Sequence, residues 1–104
     1  MQDKIISYIG FAVKARKVKT GVNAVDTVKK GVYLLVLCAS AALNTQKEAL
    51  SFSKRFNCKI VVSKTYLLED VVHKENCKLI AITDRQFANA ILNNLNEHFV
   101  ILEA

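Results

Sequence analysis

Residues Val32–Ala39 read VYLLVLCA, an apolar run with no polar alternation. Gly31 precedes it, and the small residues Ala39-Ser40-Ala41-Ala42 follow. A run this short, bounded by turn-compatible residues, predicts a strand buried on both faces. Such a strand needs cover above and below, and the rest of the chain supplies the parts. Lys59–Val62 and Lys78–Ile82 are further short apolar runs that read as strands. Between and around them lie segments with helical spacing of apolar residues. Residues 3–15 place Ile5, Ile6, Ile9, Ala12 and Val13 on one face. Residues 22–30 do the same with Val22, Val25 and Val28, ending on Gly31. Residues 45–56 bury Ala49, Phe52 and Phe56 after a cap at Asn44 or Thr45. A further helix carries Leu67, Leu68, Val71 and Val72 behind a cap at Ser63 or Thr65. The last starts at Thr83 or Asp84 and runs through Phe87, Ala88, Ile91, Leu92 and Leu95. Val18-Lys19-Thr20 is a short extended stretch, and Phe99–Leu102 serves as an edge strand or a core cover. The alternation predicts an α/β fold: a single-domain, three-layer α/β/α sandwich with a central mixed sheet of about four strands.

A chain of 104 residues is the size of one domain. Hydrophobic residues make up 52% of it, enough to build a core and to argue against disorder. It has no proline and only three glycines, which favours long regular elements. No apolar run is long enough to span a bilayer, and Met1-Gln2-Asp3-Lys4 does not open a signal peptide. Cys38, Cys58 and Cys77 are odd in number and far apart, as expected of reduced thiols in an apolar interior. The expectation is a cytoplasmic monomer with no membrane partner.

Charge is unevenly placed. Residues 1–64 hold 12 basic and 3 acidic side chains, whereas residues 65–104 hold 3 basic and 6 acidic. A single domain with that asymmetry has a positive face, and such a face attracts polyanions.

Signatures of catalysis are missing. There is no G-x-G-x-x-G and no phosphate-binding G-x-x-x-x-G-K-[ST]. His73 and His98 stand alone, without metal-ligand spacing, and no strand ends in paired carboxylates. The expectation is a protein that is not an enzyme and holds no metal or cofactor.

The positive charge concentrates in Lys14–Lys30, which contains Lys14, Arg16, Lys17, Lys19, Lys29 and Lys30 against Asp26 alone. At its centre is Lys19-Thr20-Gly21-Val22-Asn23. Glycine at a helix start permits close backbone approach. The first helical N–H groups have no intrahelical partner and can meet phosphates. The amide of Asn23 both donates and accepts, so it can address a base edge.

Three segments in this order carry a resemblance. They are Ile9-Gly10-Phe11-Ala12-Val13-Lys14-Ala15-Arg16-Lys17-Val18 running into Thr20-Gly21, then Leu34–Cys38 leading to Asn44-Thr45, and Leu79-Ile80-Ala81-Ile82-Thr83-Asp84. Over roughly residues 3–92 the chain resembles the ribosomal kink-turn-binding protein family, in particular its short bacterial YlxQ-like type. The resemblance implies binding of structured RNA: a kink-turn, ribosomal or regulatory, with the ribosome as a further partner. It places Gly21, Val22, Asn23, Ala24 and Thr27 at the RNA-facing helix start. Val72, His73, Lys74, Glu75 and Asn76 become the recognition loop. Lys17, Lys19, Lys29 and Lys30 are then the phosphate contacts. The sequence departs from the family pattern at Ala24, at Asp26 and at Leu68-Glu69. Those departures motivate an alternative, a diverged protein–protein interaction module on the same fold.

Overall fold

A computed structural model describes residues 3–102, so the reading of Met1-Gln2 lies outside them. Strand β2 (Leu34–Cys38) is buried along its whole length. It pairs in parallel with β3 (Lys59–Ser63) and antiparallel with β4 (Leu79–Ile82). β1 (Val18–Thr20) borders β4, and β5 (Phe99–Leu102) borders β3, both antiparallel. The sheet is mixed, in the order β1-β4-β2-β3-β5. It has five strands where the sequence predicted about four. The count rises because Phe99–Leu102 pairs as an edge strand beside β3, and the short Val18–Thr20 stretch, centred on exposed Lys19, closes the other edge.

Alternation along β2 divides the core. Leu34, Val36 and Cys38 point to one face, and Leu35 and Leu37 to the other. Helices α1 (Lys4–Lys14), α4 (Leu68–Val71) and α5 (Arg85–Leu92) cover the first face through Ile5, Ile9, Leu68, Ala88 and Ile91. Helices α2 (Val22–Asp26) and α3 (Leu43–Phe56) cover the second through Val25, Ala49 and Phe52. Each fully buried Leu, Ile or Phe contributes roughly 1.5–3 kcal/mol. The sheet therefore holds only while both faces stay covered.

The caps follow local chemistry. Asp3 accepts from the Ile5 N–H at 2.8 Å, and Asp84 accepts from Gln86 and Phe87. α3 starts earlier than predicted, with Ala42 at its N-cap and no side-chain cap from Asn44 or Thr45. Neither Ser63 nor Thr65 caps α4. The Ser63 hydroxyl donates to the Tyr66 carbonyl, and Thr65 hydrogen-bonds His98 Nδ1 at 2.7 Å. α5 stops at Leu92, and Leu95 packs on the core from beyond it. Tyr33, predicted inside the buried run, lies outside β2 and is 37% exposed.

The largest departure is α2, which ends at Asp26 rather than near Lys30. Arg55 explains it. Its guanidinium donates to the carbonyls of Asp26 and Val28 at 2.8 and 2.7 Å, drawing them away from further helical turns. Thr27 also folds its hydroxyl back onto the Ala24 carbonyl at 2.7 Å. Gly31 does not cap the helix. It takes φ +90°, a left-handed value suited to glycine, in the approach to β2. Among the described residues no helix is long and apolar enough to cross a membrane.

β5 is integral to this arrangement because Phe99 is fully buried and stacks on Tyr66 at 5.7 Å between ring centroids. Phe99→Ala should lower the unfolding free energy by about 3–5 kcal/mol in urea titration. A loss below about 1 kcal/mol would show β5 to be a dispensable edge.

Candidate nucleic-acid interface

The site begins where β1 runs out. Gly21 extends the β1–β4 ladder by donating to the Leu79 carbonyl at 2.8 Å. It then turns the chain with φ +87° into α2. A Cβ at Gly21 would meet nothing within 4 Å. The backbone angle, not crowding, favours glycine here, and the surface above stays open to an incoming ligand. The first intrahelical bond is Val25 N–H to the Gly21 carbonyl. The N–H groups of Val22, Asn23 and Ala24 are thus left without helical acceptors. Asn23 is exposed, Val22 and Ala24 are half-buried, and Thr27 lies exposed beyond the helix end.

The loop between α4 and β4 stands beside this turn. Lys74 Nζ donates to Thr20 Oγ1 at 3.0 Å and links the loop to the end of β1. His73 and Asn76 take left-handed φ values of 56° and 59°. Glu69 holds that shape. Its carbonyl accepts from the Lys74 N–H at 3.0 Å, and its Oε2 accepts from the Asn76 N–H at 2.9 Å. The other carboxylate oxygen lies 3.8 Å from Lys78 Nζ, which donates to Ser40 Oγ at 3.1 Å. His73, Lys74, Glu75 and Asn76 are exposed. Val72 is placed in the core and serves as the loop's anchor rather than its surface. A cleft of about 400 Å³ opens at the base of the loop, lined by Glu69, Asp70, His73, Lys74 and Glu75.

Gly21, Asn23 and the 73–76 loop therefore share one end of the sheet, although residues 24–72 separate the segments in the chain. Lys19 lies exposed on β1 beside them. Lys17, Lys29 and Lys30 do not join this cluster. The Lys17 carbonyl accepts from Thr83 N–H at 2.8 Å, beyond the opposite end of β4. Lys29 and Lys30 lie in the linker that enters β2 at that same end. Arg55 pairs with the exposed Asp26 carboxylate at 2.9 Å, so the two charges offset each other. Arg55 in turn rests over the Phe52 and Phe56 rings.

Thr20, Ser40, Glu69 and Lys78 are contributors that sequence reasoning missed. The only signal for Glu69 is that Leu68-Glu69 departs from the pattern of the family that the sequence resembles. Cys38 adjoins this corner, with its Sγ 3.1 Å from Ser40 Oγ. Burial opposes its ionisation. The Ser40 hydroxyl, backbone groups of Leu68 and Ser40, and the Lys78 ammonium outweigh that and hold the thiol below its ordinary value. Cys58 and Cys77 move the other way, because burial pushes both up, Cys58 to about 11. Among the described residues, no three His, Cys, Asp or Glu side chains gather as a metal-ligand set.

No family model matches the chain, and no curated protein matches it. A solved structure of a protein with unknown function from Bacillus halodurans C is similar, with a TM-score of 0.73 and 25% identity. The match covers 88% of this chain and 96% of that one. The likeness supports the α/β fold and carries no activity with it.

Two predictions follow from these contacts. Glu69→Ala should free the loop, speeding amide exchange at Asn76 by about tenfold, the equivalent of a lost hydrogen bond worth about 1.4 kcal/mol. Unchanged exchange would show that the loop is held by other contacts. Cys58 predicts a pH dependence. Its folded-state pKa is about 11 against an ordinary 9.0, so the folded chain retains a proton that the unfolded chain loses. That contribution is complete below pH 9 and disappears as pH rises towards 11. Cys58→Ala should flatten the decline in thermal stability over this window; an equally steep decline in the variant would assign it to other groups.

Proposed function

We propose that this protein binds structured RNA at the Gly21 end of its sheet, recognising a kink-turn or a similarly bent duplex, and performs no chemistry on it. The observation that carries the reading is the Lys74–Thr20 hydrogen bond, which sets the 73–76 loop against the start of α2. Open N–H groups, the Asn23 amide and two lysines then face one patch. Distorted RNA, whose bases are displaced from regular stacking, presents the polar edges that such a patch can read. Lys19 and Lys74 supply phosphate contacts, and Asn23 supplies the base contact. On this reading the target is ribosomal or regulatory RNA, the ribosome is a further partner, and a cytoplasmic monomer suffices for binding.

Titration of a fluorescent kink-turn RNA, alongside the same RNA with its sheared G·A pairs replaced, tests the proposal. The kink-turn should bind at least about tenfold more tightly, a difference of about 1.4 kcal/mol. Asn23→Ala should erase about 1–3 kcal/mol of that preference. The logarithm of affinity should fall against log salt by about 0.7–0.9 per neutralised phosphate. Equal affinity for both RNAs would sink the kink-turn reading. No binding at low salt would sink RNA recognition and favour the protein–protein module.

A further inference from the structure

The opposite end of β1 carries a second feature that RNA recognition at Gly21 does not use. Tyr33 stands between Val32, which is 4% exposed, and Leu34, which is fully buried, yet it is itself 37% exposed. No core packing accounts for its ring. The Arg85 guanidinium lies over that ring, 5.2 Å from its centroid. Tyr33 is fixed from below, since its N–H donates to the Ile82 carbonyl at 2.9 Å. Lys17 is anchored to the neighbouring Thr83 through its carbonyl. Lys29 and Lys30 are exposed in the linker just before Tyr33. Asp84 is the nearby acid in sequence, and its carboxylate is engaged by the Gln86 and Phe87 N–H groups.

We propose that Tyr33 and Arg85 form a stacking platform for an unpaired base of single-stranded RNA, with Lys17, Lys29 and Lys30 holding the backbone on either side. Planar guanidinium and aromatic groups stack on any base, and surrounding cations follow the phosphates. The two ends of β1 are linked by Lys19, and Lys17 to Gly21 spans about 13 Å of extended chain. A strand leaving a structured RNA seated at Gly21 runs along this basic edge to the platform. The continuity of that path rests on the function proposed above; the platform itself does not.

The test uses the full chain and two kink-turn RNAs, one blunt and one with an unpaired uridine extension of about ten nucleotides. Wild-type protein should bind the extended RNA more tightly. Tyr33→Leu should lose that gain, a drop of about 5- to 100-fold, while binding the blunt RNA as before. Tyr33→Phe should keep the gain, because stacking needs no hydroxyl. Arg85→Lys leaves the strand untouched and keeps the charge, and it should lose part of the gain. An equal gain in wild type and Tyr33→Leu, or no gain at all, overturns the platform. So does equal competition by polyglutamate, which would reveal a surface that senses only charge. If G·A replacement leaves blunt binding unchanged while the extension still depends on Tyr33, the kink-turn reading fails and the platform stands.

Discussion

Five consecutive side chains of β2 are shut away from water, and the remaining elements are arranged around that requirement. A strand buried on both faces needs neighbours on both edges to satisfy its backbone and helices on both sides to cover its side chains. β3 and β4 meet the first need. Helices α1, α4 and α5 on one face, with α2 and α3 on the other, meet the second. The chain then has to return repeatedly to the ends of the sheet. It is at those ends, where side chains no longer have to pack, that exposed polar groups collect.

This division explains what the sequence disclosed. The interior strands were legible because burial on both faces excludes polar residues and leaves an unbroken apolar run. Asp84 was legible as a cap because its carboxylate acts on the residues just after it. The extent of α2 was not, because Arg55, nearly thirty positions away, captures the carbonyls that a longer helix would need. Tyr33 was absorbed into an apolar run, since composition cannot tell which end of a run leaves the core. Lys29 and Lys30 looked close to Gly21 in sequence, but the short α2 returns the chain to the far end of the sheet.

Two acids, Asp26 and Glu69, gain a physical account. Asp26 accepts from Arg55 and so fixes the exit from α2. Glu69 accepts from the loop backbone and faces Lys78. Each is engaged with cations or N–H donors of the chain itself, so neither presents a bare negative charge to a polyanion. An acid on a nucleic-acid-facing surface is compatible with binding when the protein supplies its counter-charge.

The contact between Lys74 and Thr20 has a kinetic consequence. It joins residues 54 positions apart and depends on β1 having found its register with β4. Long-range pairings of this kind are slow to form, because a large loop must close before they stabilise anything. The corner that joins Gly21 to the 73–76 loop is therefore assembled late, after the sheet has acquired its edges. A chain still emerging from synthesis, or one released from denaturant, carries all its lysines yet lacks the corner that Lys19 and Lys74 flank. On the function proposed above, selective RNA binding lags behind secondary structure during refolding.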